Sequence, residues 1–152
     1  MAGSDVPPRL LEREHELADL ASAIGEATAG HGRVVLIHGE AGIGKSSLLT
    51  ALGETLPPGA RLLVGYCDDL ATKRTLGPFR DLAGKVGVPL AEAVSGGADR
   101  DRVLTELTAD LASPSRPTVL AIEDVHWADE ATLDVLRYLA RRLARLPVAL
   151  LL

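Results

Sequence analysis

The chain has 152 residues, a formal net charge of −5 at neutral pH and one cysteine, Cys67. That length suffices for one domain whose core removes roughly 68–70% of the unfolded surface from water, so neither a disulfide nor a structural metal is required. The acidic balance argues against a domain that itself grips nucleic acid or an anionic membrane, because both require a cationic footprint. A lone cysteine without a zinc-spaced His or Cys cluster suits a reducing compartment, with Cys67 as a small buried hydrophobe.

Residues 1–9 read as a polar leader with Asp5, Pro7, Pro8 and Arg9 in place of an apolar signal segment, and the expected localisation is cytoplasmic. The longest apolar run, residues 148–152, is too short to span a bilayer. Residues 14–29 place Leu17, Leu20, Ala21 and Ile24 at i, i+3, i+4 and i+7, which predicts an amphipathic helix ended by Gly30-His31-Gly32. Residues 34–37 form a short β-branched run without polar alternation, as for a strand covered on both faces, and lead into a glycine-rich loop.

A second helix is predicted over 46–56, stopped by Pro57-Pro58-Gly59, and a second strand over 61–66. Residues 68–112 read as helices punctuated by Gly and Pro, the clearest being 100–112 with Val103, Leu104, Leu107 and Leu111 on one side. A third strand at 118–122, a long helix at 129–145 and the start of a fourth strand at 148–152 complete the pattern. Strands alternating with helices imply a parallel sheet with right-handed crossovers, so the expected fold is a three-layer α/β domain over residues 10–152. The apolar last strand, read as an exposed edge open to association, suggests an N-terminal piece of a longer domain.

Gly39-Glu40-Ala41-Gly42-Ile43-Gly44-Lys45-Ser46 fits G-x-x-x-x-G-K-[ST] between a predicted strand and a predicted helix, the context that motif requires. Its glycines admit dihedrals and a close approach that a Cβ obstructs, so several N–H groups can turn towards phosphate oxygens, aided by the positive end of the next helix. Lys45 is placed for the β- and γ-phosphates, the Ser46 hydroxyl for Mg²⁺, and Ser47 continues the binding segment. The alternative is a glycine-rich turn that binds nothing, which leaves Lys45 and Ser46 unexplained.

Four apolar residues, 119–122, precede Glu123 and Asp124. Carboxylates at the mouth of a buried strand are costly unless a cation or hydrogen bonds compensate them. A magnesium nucleotide needs such an acid at the end of a neighbouring strand, and hydrolysis needs a group to orient water. Strand alternation sends the two acids in opposite directions: Glu123 is assigned to the Mg²⁺ shell, through water, and Asp124 to the attacking water, with the reverse assignment open.

Leu10-Leu11-Glu12-Arg13-Glu14, the phosphate loop, Gly65-Tyr66-Cys67-Asp68, Leu76-Gly77-Pro78 and Glu123-Asp124-Val125-His126-Trp127-Ala128-Asp129 occur in this order over nearly the whole chain. Together they resemble the ATPase domain of large LuxR-type transcriptional regulators, within the STAND and Orc1-like AAA branches of P-loop ATPases. The resemblance implies an ATP/ADP switch with Mg²⁺, slow hydrolysis and self-association through this domain in the full-length protein. It also implies a helix-turn-helix DNA-binding domain at the far C-terminus, outside this chain. Glu12 stands where the family usually has Gly, and Glu123 where Asp is common. The competing readings are a small P-loop kinase, which needs an arginine-bearing lid beyond the third strand, and a truncated ATPase fragment without function.

Among weaker signals, Asp129 reads as a helix N-cap or a nucleotide-sensing group, and Trp127 as a packing anchor. His126 is a loop residue or a reporter of phosphate state. Arg137, Arg141 and Arg145 repeat every four residues as a solvated face or a partner contact, and Arg74 and Arg80 read as surface contacts.

Overall fold

The computed structural model describes residues 14–38, 44–70, 72, 74–97 and 99–152. Helix α1 (Glu14–Thr28) buries Leu20, Ile24 and Ala27, one stripe of a 3.6-residue period, and leaves its acidic first turn in solvent. It closes at Gly30, which takes φ 89° while its N–H donates to the Ala27 carbonyl at 2.9 Å. Strand β1 (Arg33–Val35) follows, then α2 (Lys45–Glu54) and β2 (Arg61–Tyr66). Three helices, α3 (Gly77–Arg80), α4 (Val88–Ser95) and α5 (Arg100–Leu111), lead to β3 (Thr118–Glu123); α6 (Glu130–Arg142) then leads to β4 (Val148–Leu151).

All the strand pairs are parallel, in the order β1-β4-β3-β2. Side-chain alternation divides the central strands between two cores. On one face Val119, Ala121, Ala149 and Leu151 meet α1 and α2; on the other Leu63, Leu120, Ile122, Val148 and Leu150 meet α3 to α6. Burying a leucine such as Leu120 or Leu150, both 0% exposed, contributes about 1.5–3 kcal/mol. The result is the expected three-layer α/β arrangement.

Three expectations change. The last strand is not an exposed edge: β4 lies between β1 and β3, buried throughout, and the outer strands are β1 and β2. The acids' strand is consequently one place removed from β1 instead of beside it. The helix expected over 129–145 ends at Arg142, and Leu143–Arg145 tighten into a 3-10 turn before β4. Strand β1 is shorter than expected, although its ladder runs on, with Ile37 N–H donating to the Leu152 carbonyl at 2.7 Å.

Candidate functional site

The segment whose sequence fits the phosphate-loop motif follows β1 in the chain. Gly39, Glu40, Ala41, Gly42 and Ile43 lie outside the described residues. Gly44 takes φ 81° and ψ 33°, the left-handed region where a Cβ is penalised, and turns the chain into α2. Lys45 is the first residue of that helix; Ser46 and Ser47 are exposed on its first turn, while Leu48 and Leu49 anchor it in the core. The first turn itself carries no acidic side chain.

Across the sheet, β3 is buried at every position until Glu123, which is half-buried at its C-terminal end. Asp124 is not the next residue of an alternating strand. Its φ of 55° and ψ of 43° turn the chain off the sheet, a conformation that Asp tolerates better than most side chains, and this turn sets its direction. The Ser46 hydroxyl donates to Glu123 Oε2 at 3.0 Å, joining α2 to the end of β3 across 77 residues of sequence. That hydroxyl and carboxylate form an all-oxygen donor pair. Adjacent ligands of an octahedral Mg²⁺ at about 2.1 Å are about 3.0 Å apart, so the pair fits that ion. Lys45, Glu123, Asp124 and His126 line one cleft, with Ile37 and Leu49 as its apolar wall.

The segment after β2 packs against this end of the sheet. Tyr66 is in register with Glu123, and Cys67 N–H donates to the Glu123 carbonyl at 3.0 Å. Arg74 donates to Asp68 at 3.1 Å and Asp81 at 3.2 Å, and Asp81 also accepts from Tyr66 N–H at 3.0 Å. The hydrogen bond to Asp81 is the main reason that the Arg74 guanidinium holds its proton above the ordinary range. Arg80 donates to the Thr75 carbonyl at 2.9 Å. Arg74 is exposed and Arg80 partly so, and their hydrogen bonds also staple this segment together. Asp81 carried no sequence signal, because its partners lie 7 and 15 residues away in a segment without periodicity.

Cys67 is buried, and its thiol is pushed up to about 11, first by that burial and then by Asp129, Asp124, Asp68 and Asp81. It stays protonated at neutral pH, consistent with a small core residue. Trp127 is 38% exposed, with its ring centroid 5.1 Å from that of His126, so it is not the packing anchor expected. The 3-10 turn Val125–Trp127 swings the indole outward, and Ala128 takes the buried place.

Asp129 stands at the N-cap of α6 with extended backbone, but its side chain makes no capping bond to that helix. Instead, one carboxylate oxygen accepts from the Thr132 hydroxyl and the other from Leu76 N–H at 3.3 Å. Arg137, Arg141 and Arg145 are exposed, Arg145 lies beyond α6, and Arg137 pairs with Asp134 at 3.2 Å.

A parallel α/β sheet with a glycine-turned helix start facing an acidic strand end defines a nucleotide-binding ATPase domain. Residues 9–152 match the AAA ATPase domain family, and the chain belongs to it. The chain is also similar to an uncharacterized protein of Rhizobium meliloti (strain 1021), 31% identical over a 185-position alignment covering 93% of this chain. It spans 18% of that protein's length. No solved structure matches it. Among the described residues, no helix is long and apolar enough to cross a membrane.

Proposed function

We propose that the chain binds Mg²⁺-ATP with residues 39–47 and hydrolyses it slowly, acting in the cytoplasm as the nucleotide switch of a larger LuxR-type regulator. The observation that carries the reading is the 3.0 Å contact between Ser46 Oγ and Glu123 Oε2, since it brings the motif's hydroxyl to the first acid of a distant strand. In this reading the backbone of Gly39, Glu40, Ala41, Gly42, Ile43 and Gly44 cradles the phosphates. Lys45 neutralises the β- and γ-phosphates as a point charge.

Ser46 and Glu123 hold Mg²⁺, and their spacing suits direct ligation by both in place of the water-mediated contact expected for Glu123. When bound, the ion supplies charge to the oxygens of the transferring phosphoryl group. Asp124, turned off the strand, accepts a hydrogen bond from the attacking water and orients it. Regulation of transcription and self-association through this domain belong to the same proposal, supported by the family resemblance of the Glu123 to Asp129 segment.

Thermal unfolding with Mg²⁺-ATP, Mg²⁺-ADP or neither tests the site. Nucleotide at about 100 times Kd adds roughly 2.7 kcal/mol to the folded state. That amounts to a rise of roughly 5–11 °C for a domain of this size. The rise is expected in the wild type and not in Lys45→Ala; a cooperative transition that no nucleotide moves would refute the proposal.

A further inference from the structure

Among the described residues two non-glycine positions take left-handed dihedrals, Leu76 at φ 56° and Asp124 at φ 55°. Leu76 is the more unusual, because it is bulky and only 2% exposed. Such a conformation persists where the surroundings over-determine it. One residue, Asp129, is tied to both. Its carboxylate accepts the Leu76 N–H, and its backbone ends the six-residue segment that begins at Asp124. That segment is closed into a turn by Trp127 N–H to the Asp124 carbonyl at 2.8 Å and Ala128 N–H to the Val125 carbonyl at 3.0 Å.

We propose that Asp129 is a positioning residue for Asp124: its carboxylate clamps the segment after β2 to the turn after the acids and so holds Asp124 in its direction. The proposal rests on the reading of Asp124 as the group that orients water. One end of the turn is fixed by β3, whose Glu123 carbonyl accepts from Cys67 N–H at 3.0 Å. The other end is fixed by Asp129, whose second oxygen is braced by the fully buried Thr132 hydroxyl on α6. Without the carboxylate, the amide of a buried residue loses its acceptor and Leu76 loses the bond that offsets its strained backbone. The segment can then move away from the turn.

Both partners of Asp129 donate to it, one N–H and one O–H, and the Thr132 hydroxyl can also accept, so the clamp needs a hydrogen bond on each side and not a negative charge. Asparagine meets the need: its carbonyl oxygen accepts from Leu76, and its NH₂ donates to the Thr132 oxygen. A group that acted on nucleotide or metal through charge would fail as Asn.

The experiment compares Asp129→Asn with Asp129→Ala in nucleotide affinity, steady-state turnover and amide hydrogen exchange, with Lys45→Ala as the binding control. In Asp129→Ala, turnover should fall on the order of tenfold or more while Kd stays within about twofold, as for loss of positioning alone. Asp129→Asn should stay within about threefold of wild type on the same measure. Exchange at the Leu76, Trp127 and Ala128 amides should quicken in Asp129→Ala and not in Asp129→Asn.

Wild-type turnover in Asp129→Ala, or equal impairment of the two variants, would overturn the clamp. If the wild type and Lys45→Ala alike bind no nucleotide, the reading of the site fails, and the exchange rates decide the clamp alone: identical rates in the two Asp129 variants reject it. Should Asp129→Ala lose cooperative unfolding, Thr132→Val takes its place; it is expected to lower turnover with Kd unchanged, and unaltered turnover and exchange would overturn the clamp.

Discussion

Removing the Asp110 carboxylate should destabilise the domain far more than removing any surface acid. Asp110 sits near the end of α5 with its side chain 7% exposed, paired with Arg61 at the start of β2, whose side chain is 13% exposed. Its carboxylate also accepts from Gly87 N–H at 2.8 Å and lies 3.6 Å from Arg116. Arg61 donates in addition to the Thr118 hydroxyl at 2.9 Å and the Lys85 carbonyl at 3.4 Å, so the pair ties β2, β3, α5 and the approach to α4 together.

In Asp110→Ala a guanidinium stays buried without its counter-charge and the Gly87 amide loses its acceptor, a loss of about 3–5 kcal/mol. At 2–4 °C per kcal/mol, that lowers Tm by roughly 6–20 °C. The internal comparison is Glu26→Ala, which breaks the pair with Arg33 where the side chains are 45% and 56% exposed. Solvent and salt screen that contact, and its loss is expected to cost about 0–1 kcal/mol. Calorimetric melts of both variants, with urea midpoints alongside, make the measurement. Adding Arg61→Leu to Asp110→Ala should recover part of the deficit by removing the stranded charge. Equal melting of Asp110→Ala and Glu26→Ala, or no recovery in the double variant, would refute the reasoning.

Two further outcomes follow from close contacts and burial. A Cβ on Gly65 would lie 2.5 Å from the Pro78 carbonyl oxygen and 2.8 Å from Pro78 Cβ. Gly65→Ala must therefore push α3 from β2, at a cost of about 1–3 kcal/mol, and an unchanged denaturation midpoint would contradict the packing described. Because the folded chain holds the Cys67 proton up to about 11 against an ordinary 9.0, it binds more protons than the unfolded chain between those values. The contribution of Cys67 is thus complete below pH 9 and lost as pH rises to about 11; Cys67→Ala should show a shallower fall of stability over that window, and identical slopes would reject the shift.

What can be read locally was legible from sequence. Helix α1 follows from its 3.6-residue apolar stripe, β2 from the Pro57-Pro58-Gly59 stop before it, and α5 from Val103, Leu107 and Leu111. The phosphate loop is a contiguous run whose glycines, lysine and serine each answer a local chemical demand, and Glu123 shows as the first acid after a buried strand. The sequence reading lost accuracy where a conformation depends on remote partners. Alternation along β3 sends Asp124 opposite to Glu123, but the backbone turns left-handed there, and the indole of Trp127 is left partly exposed.

The sequence by itself therefore determined the fold class and the order of strands and helices along the chain, because periodicity and turn chemistry act over a few residues, and its motifs resembled an AAA-type P-loop ATPase domain, the family that residues 9–152 match. Only the tertiary structure decided the place of β4 between β1 and β3, since apolar runs in a parallel sheet look alike whichever neighbours they have. It also decided the contacts of Ser46 with Glu123, Asp129 with Leu76 and Arg61 with Asp110, which join residues 77, 53 and 49 positions apart. Such pairs form only after loop closure has brought distant elements together, so they leave no spacing to be read along the chain.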